Sequence, residues 1–282
     1  MVKRRTFIRN ISAAAAAALL LPYRLPASTL KNEIGIQLYT IREMVRDDLP
    51  ETLKTLNKIG YSTVEAAGYY DGKFYGLMPE TYKNLVVDSG LNPVSSHCRI
   101  SVENASRVCD DHLEAGARFV VLPSAPEAER KTAAGYYALA EKLNAIGEIC
   151  REKNLAFGYH NHAFEFQPVN GETPYDILLE NTDDDLVFFQ MDTYWTVYGG
   201  KDPLEYFKKS PHRFRLLHLK DMNNSPDKRS TEIGAGIIDF YTILKQSEKA
   251  GTEYVFVEQE EFRMEPVRSI TESYHFLRSI MK

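Results

Sequence analysis

Short apolar runs alternate with longer stretches of helical periodicity through most of the chain. Between the runs, apolar residues recur every three or four positions, as at Leu49, Leu53, Leu56 and Ile59. Strand-length runs that alternate with amphipathic helices are typical of a parallel α/β sheet. The predicted strands lie within residues 34–39, 63–66, 93–97, 119–123, 155–160, 186–192, 214–220 and 254–258.

Glycine or asparagine closes several of the predicted helices. Gly60, Gly90, Gly116, Asn154 and Gly251 each come just before the next apolar run. A residue in the left-handed conformation commonly ends a helix there. Eight strand–helix units in roughly 250 residues favour a closed (β/α)8 TIM barrel over an open doubly wound sheet. The sequence therefore predicts one α/β TIM-barrel domain over residues 29–282.

Ionisable residues stand at the ends of six predicted strands, where a TIM barrel carries its active site. The densest group follows the fifth strand, where His160 and His162 are two residues apart and Glu165 comes three residues later. Imidazole and carboxylate groups are both metal ligands and proton carriers. The strand-end set consists of Glu65, His97, His160, His162, Asp192, His218, Lys220, Asp221 and Glu258.

A mixed nitrogen and oxygen metal site is predicted from this set. Asp192, His218 and Glu258 would join a residue of the stretch 160–165 at the mouth of the barrel. Such ligands suit one Mn²⁺, Zn²⁺, Co²⁺ or Mg²⁺ ion. Because no cysteine takes part, we expect a catalytic rather than a structural site.

The chain resembles the xylose-isomerase-like sugar phosphate isomerase/epimerase superfamily of TIM barrels. The resemblance extends over most of residues 29–282 and rests on motifs at seven strands and one loop. These are Ile36-Gln37-Leu38-Tyr39, Thr63-Val64-Glu65, Ser96-His97, Tyr159-His160-Asn161-His162 with Glu165-Phe166, Met191-Asp192, His218-Leu219-Lys220-Asp221, Gly234-Ala235-Gly236 and Val257-Glu258-Gln259.

The resemblance implies a single divalent metal held by Glu, Asp, His and Glu from strands five to eight. Asp192, His218 and Glu258 match the last three ligands, but His160 stands where the first glutamate is expected. Two alternatives follow: His160 binds the metal itself, or Glu165 supplies the oxygen. The departure also removes one member of the two-glutamate proton relay of the epimerases.

Catalytic and substrate-binding residues are predicted around this metal. The expected proton carriers are Glu165, His162, Lys220 and Glu258. The expected substrate contacts are Glu65, His97, Trp195 and Lys220. A metal that chelates a sugar carbonyl and a neighbouring hydroxyl acidifies the C–H bond between them and stabilises an enediolate. The proton then returns in an isomerisation or epimerisation, or a neighbouring substituent leaves.

The first 28 residues have the composition of an export signal. The basic segment Lys3–Arg9, with the pair Arg4-Arg5, precedes an apolar run over residues 11–21 and several small residues. This order resembles a twin-arginine signal. The apolar run is too short to cross a bilayer. We therefore expect a periplasmic protein with no membrane span in residues 29–282.

Composition narrows the partners to small molecules. The chain has 282 residues, is 44% hydrophobic and has a net charge of -5, with lysine and arginine scattered. The sequence has no basic patch of the kind that indicates binding to nucleic acid. Assembly as a homo-oligomer is left open by the sequence.

The leading hypothesis is a metal-dependent isomerase or epimerase of a carbohydrate, a sugar or keto-sugar. The main alternative is a lyase or dehydratase of a keto-sugar, such as a 3-keto-glycoside, on the same site. Two further alternatives remain. An endonuclease IV-like phosphodiesterase would need more metal ligands. A non-catalytic sugar-binding barrel would be supported by the loss of a metal ligand.

Overall fold

Eight parallel strands close into a barrel in the computed structural model, which describes residue 30 and residues 32–281. Each strand pairs with its sequence neighbours, and the first pairs with the last. This confirms the predicted TIM barrel. The strands are β1 (Ile34–Gln37), β2 (Thr63–Ala66), β3 (Asn92–His97), β4 (Phe119–Leu122), β5 (Ala156–His160), β6 (Val187–Asp192), β7 (Leu216–Leu219) and β8 (Tyr254–Val257).

Helices cover the outside of the barrel and connect the strands. They are α1 (Arg42–Asp47), α2 (Leu49–Ile59), α3 (Pro79–Asp88), α4 (Ala105–Glu114), α5 (Ala133–Glu152), α6 (Pro174–Asn181), α7 (Thr193–Tyr198), α8 (Pro203–Lys209), α9 (Phe240–Ala250) and α10 (Pro266–Ile280). The five residues expected to close helices all have a positive φ, between 63° at Asn154 and 120° at Gly60. No helix among the described residues is long and apolar enough to cross a membrane. The predicted export signal lies outside the described residues.

Several strands are shorter than the apolar runs that predicted them. The first run continued to Tyr39, but β1 ends at Gln37 and a 3-10 helix follows over Leu38–Ile41. The side chain of Gln37 accepts a hydrogen bond from the Tyr39 amide and so starts that helix. Two short hairpins, Tyr69–Tyr70 with Lys73–Phe74 and Asp221–Met222 with Ser230–Thr231, were not predicted.

The barrel interior has an apolar lower layer and a polar upper layer. A cluster that includes Phe119, Phe188, Leu216 and Phe256 fills the lower layer. Gly158 is required there, because a Cβ at this position would lie 2.4 Å from the Phe188 ring. Since side chains alternate along a strand, the residues two and four positions further on face the same interior. The upper layer is therefore formed by strand-end polar residues.

The hairpin Tyr69–Phe74 is fixed to α4 through His112. The His112 ring lies 4.7 Å from the Tyr69 ring and 5.0 Å from the Phe74 ring, between centroids. The Tyr69 hydroxyl donates to Asp111 at 2.6 Å, and His112 Nδ1 donates to the Val108 carbonyl at 2.7 Å. Burial lowers the pKa of His112 to about 4 against the opposing effect of that carbonyl. The ring is therefore neutral in the folded protein.

Replacement of His112 by Phe should flatten the pH dependence of stability. Below about pH 6.5 the unfolded chain binds a proton at His112 that the folded chain does not, so stability falls as the pH drops towards 4. The wild type should lose roughly 2.5 kcal/mol more than H112F between pH 7 and pH 4.5. Urea denaturation of both proteins between pH 4.5 and 7 measures the difference. Parallel pH profiles would contradict the assignment.

Candidate metal centre and active site

Four side chains from four adjacent strands meet at the mouth of the barrel. His160 ends β5, Asp192 ends β6, His218 lies in β7 and Glu258 follows β8. One potential ligand atom from each lies within 4.8 Å of those of the other three, and all four residues are buried. The pairing of Asp192 with His218 across β6 and β7 brings two of them side by side. The structure thus assembles the residues that the sequence placed at strand ends.

The local fold orients Asp192. It is the N-cap of α7, and its Oδ1 accepts a hydrogen bond from the Trp195 amide at 2.9 Å. This fixes the carboxylate while Oδ2 is left buried with no hydrogen-bond partner among the described residues. Burial raises the pKa of Asp192 to about 7, although Lys220 opposes the shift. A nearby cation would therefore stabilise the charged form of Asp192.

His218 lies between two carboxylates. Its Nε2 is 2.5 Å from Glu65 Oε1, and its Nδ1 contacts Glu258 Oε2 without hydrogen-bond geometry. Burial opposes protonation, but Glu258 and Glu65 together raise the pKa of His218 to about 10. A carboxylate behind a histidine is the usual arrangement that orients a metal-binding imidazole.

The donor set fits a divalent cation. His160 Nδ1, Asp192 Oδ2, His218 Nδ1 and Glu258 Oε2 are all buried and lack a hydrogen-bond partner among residues 30 and 32–281. His218 Nδ1 and Glu258 Oε2 contact each other as an ion pair, whereas His160 Nδ1 and Asp192 Oδ2 have no polar partner in the described part of the chain. A buried polar atom without a partner costs free energy, so a cation held by these four side chains would satisfy the two that are left. Burial, reinforced by His218 and His97, also lowers the pKa of His160 well below its usual value. Its neutral imidazole keeps a lone pair for a metal.

Glu65 lies beneath this centre and binds four further strands. Its Oε1 accepts from Gln37 at 2.8 Å, and its Oε2 accepts from Ser95 at 2.6 Å and Gln190 at 2.8 Å. Burial opposes its ionisation, but His97 and His218 lower its pKa to about 2. Both oxygens of Glu65 are engaged and its side chain is fully buried. The geometry favours a positioning role for Glu65 rather than the predicted substrate contact.

An open cavity of about 760 Å³ leads to the cluster. Its wall includes His97, His160, His162, Glu258 and Glu260. His97 Nε2 lies 2.5 Å from Gln190 Oε1, which fixes the ring at the wall. The rings of His160 and His162 are 5.1 Å apart, and His162 Nδ1 has no hydrogen-bond partner in the described part of the chain. His97 and His162, both predicted site residues, are thus in reach of a molecule bound in the cavity.

Glu165 lies behind the cavity rather than in the cluster. Its Oε1 accepts from the Tyr159 hydroxyl at 2.5 Å and its Oε2 accepts from the His162 amide at 2.8 Å. It belongs to neither group of potential ligands found among the described residues. Burial raises the pKa of Glu165 to about 8, against the effect of Tyr159. Of the two alternatives, this geometry favours His160 as the ligand and Glu165 as the support of His162.

Lys220 and Trp195 lie next to the cluster, behind the cavity wall. Lys220 Nζ lies 4.6 Å from the centroid of the Trp195 ring, 3.2 Å from Glu260 Oε2 and 3.8 Å from Glu258 Oε1. Burial opposes the charge, but Glu258 and Asp192 raise the pKa of Lys220. The ammonium group therefore stays charged. It does not line the cavity itself but contacts Glu258 and Glu260, whose carboxylates do.

Sequence reasoning missed Gln190, although a signal was present. It is a polar residue inside the apolar run of β6, two positions before Asp192. By alternation it shares the interior face of Asp192, and its side chain joins Glu65 to His97. A buried polar residue in a strand facing a predicted active site could have been added to the site on this ground.

The amino-acid sequence matches a family model described as xylose isomerase-like TIM barrel over residues 53–280. The chain belongs to this family. The match covers the strands that supply all four residues of the cluster.

The chain is similar to a curated protein over part of its length and to a solved structure over most of it. An inosose dehydratase of Clostridium perfringens is 34% identical over 140 residues, which is 44% of this chain and 46% of that protein. The chain spans about half the length of the curated relatives it matches. The solved structure of a sugar phosphate isomerase/epimerase from Parabacteroides distasonis is 29% identical with a TM-score of 0.79, over 92% of this chain and 96% of that one.

A zinc-bound structure of an IolI protein has the same fold. It is 14% identical with a TM-score of 0.67 and covers 88% of this chain and 98% of that one. At this identity the likeness concerns the fold. The support for a divalent metal in this chain comes from its own cluster of His160, Asp192, His218 and Glu258.

Replacement of Glu65 by Gln should weaken metal binding without removing a ligand. The substitution keeps the shape but removes the carboxylate behind His218, and a loss of about 10- to 100-fold in affinity is expected. Titration calorimetry of Zn²⁺ into metal-free protein measures it. The matched variant Glu165→Gln should bind metal within a few-fold of wild type. Loss of metal in E165Q, with none in E65Q, would make Glu165 a ligand.

Proposed function

We propose that the chain is a divalent-metal-dependent enzyme that removes the proton next to the carbonyl of a keto-sugar and eliminates a neighbouring oxygen substituent. The observation that carries the proposal is the convergence of four buried ligand side chains beside His162 at the end of an open cavity. The relatives named as enzymes acting on sugars or cyclitols support an enzyme of this kind.

His160, Asp192, His218 and Glu258 would hold the metal. When bound, a divalent ion supplies Lewis acidity to the carbonyl and adjacent hydroxyl oxygens of a sugar. Two imidazole ligands favour Zn²⁺, Co²⁺ or Mn²⁺ over Mg²⁺. The remaining chemistry belongs to side chains of the chain itself.

His162 is the proposed base. It lines the cavity, its Nδ1 is unpartnered, and Glu165 fixes its backbone from behind. Burial lowers the pKa of His162 to about 4, although Glu258 opposes the shift. The ring is therefore neutral at ordinary pH and can accept a proton from carbon.

The pair of Lys220 and Glu260 is the proposed acid. Glu260 stands at the cavity wall, and Lys220 Nζ lies 3.2 Å behind it. In the reaction the C–H bond breaks, its electrons form a carbon–carbon double bond, and the next carbon–oxygen bond breaks. His162 takes the proton from carbon, and the leaving oxygen takes a proton from the Lys220–Glu260 pair. His162 then releases its proton to solvent, and the pair regains one from solvent. An imidazole base with an ammonium acid divides the two roles between different groups.

The choice between elimination and epimerisation depends on the strand-five position. The resemblance to epimerases implies a proton relay of two glutamates, and His160 occupies the place of one. The name of the inosose dehydratase relative also favours elimination. Epimerisation is the second candidate. The Parabacteroides distasonis neighbour is named an isomerase/epimerase, and its match to this chain covers nearly its whole length. The periplasm is the proposed compartment, on the basis of residues 1–28 alone.

Two activities on a 3-keto-glucoside should separate the role of His162 as base from that of Lys220 as part of the acid. One is exchange of the substrate C–H proton with solvent, and the other is release of the aglycone by elimination. In deuterated water, the metal-loaded wild type should exchange the proton beside the carbonyl and release the aglycone. His162→Gln should lose both activities by about 100-fold or more, whereas Lys220→Met should keep the exchange and lose the release. NMR of the sugar and the released alcohol measures both.

Metal content is the control for each variant, since neither replaced side chain belongs to the cluster. Variants with a full metal complement and both activities intact would contradict the assignments. Exchange without release in the wild type would make the protein an epimerase or isomerase instead.

A further inference from the structure

One tyrosine at the cavity rim is far more exposed than any other large apolar or aromatic side chain in the described part of the chain. Tyr70 is 85% exposed, and the next, Tyr241, is 59% exposed. Single exposed aromatic residues are ordinary on protein surfaces. Tyr70 differs because it lines the same cavity as His160 and Glu258. A flat apolar ring is therefore presented to whatever enters.

The segment that carries Tyr70 is held in place. Asp71 and Gly72 have φ angles of 46° and 79°, as a tight two-residue hairpin turn requires. Tyr69, next to Tyr70, packs its ring on His112. Arg107 pairs with Asp71 at 3.3 Å across the outer face. A ring on an anchored hairpin binds a ligand with little loss of conformational entropy.

The rim offers both an apolar surface and polar groups. Tyr39, which is 47% exposed, lines the cavity as well, with Arg42 4.7 Å from its ring centroid. Asn104, Arg99 and Arg107 add donors to the same wall. Aromatic faces flanked by hydrogen-bonding groups are the chemistry that recognises a sugar or aryl ring, which has an apolar face and a polar edge.

The extent of the cavity decides what this surface binds. It reaches from the ligand cluster to the hairpin and has a volume of about 760 Å³, a size that takes a ligand larger than one sugar ring. The reacting ring must sit at the cluster, beside His162. We propose that Tyr70, with Tyr39, forms an outer subsite for a second ring, so that the substrate is a glycoside rather than a free monosaccharide.

This inference rests on the proposed function for the position of the first ring, and a binding experiment separates the two. Saturation-transfer NMR of the metal-loaded protein would compare 4-nitrophenyl glucoside with glucose. The wild type should bind the glycoside about tenfold more tightly. Tyr70→Ala should lose this preference, and Tyr70→Phe should keep it. Tyr241→Ala removes the next most exposed tyrosine ring, which does not line the cavity, and this variant should bind as the wild type does.

Steady-state kinetics provide the second test. With a 3-keto-glucoside and free 3-keto-glucose, Y70A should raise KM about tenfold for the glycoside and leave kcat unchanged. A ring preference in binding that Y70A abolishes, without turnover of either compound, would support the subsite and contradict the proposed reaction. Turnover with equal KM for both compounds, or a preference that survives in Y70A, would overturn the subsite and leave the reaction standing.

Discussion

The carboxylate of Glu65 is the group on which the upper part of the barrel depends. It is fully buried, and an uncompensated charge in such a place would cost several kcal/mol. Two histidines and three neutral donors compensate it, and they come from β1, β3, β6 and β7, whereas Glu65 itself lies in β2. Glu65 therefore ties five strands at one level, and it fixes the ring of His218 in the orientation that turns Nδ1 towards the metal ligands.

The centre above Glu65 is already arranged for a cation. Asp192 is held by the N-terminus of α7, and its Oδ2 has no hydrogen-bond partner in the described part of the chain. His218 is held by Glu65, and its Nδ1 is turned towards Glu258. Preorganised ligands bind a metal without a large loss of side-chain entropy. The proton carriers lie on either side of this rigid group: His162 is at the cavity wall, and Lys220 stands behind Glu260. The arrangement separates metal binding from proton transfer.

Much of this architecture could be predicted from the sequence, because strands in a TIM barrel alternate with a period of two. In β8, Tyr254 and Phe256 face the interior, so Glu258 does too. The same alternation connects Phe188, through Gln190, with Asp192, and it connects Leu216 with His218. Eight apolar runs and their strand-end residues therefore indicated both the fold and the cluster.

The connections among these residues were beyond the sequence. Glu65 looks like a substrate contact at a strand end, but hydrogen bonds from Gln190, 125 positions away, show its supporting role. Glu165 is near His162 in sequence, yet only the fold shows that Tyr159 and a backbone amide occupy its oxygens. The hairpin that exposes Tyr70 has strands of two residues, too short for a periodic signal.

The central claim is that His160, Asp192, His218 and Glu258 bind one divalent cation. The most direct test is a crystal structure of the protein grown with Zn²⁺ or Mn²⁺, with anomalous diffraction recorded at the absorption edge of the metal. A single anomalous peak within about 2.3 Å of one atom from each of the four side chains is predicted. A peak bound by Glu165 instead of His160, a cluster of several metals, or no peak between these residues would contradict the account.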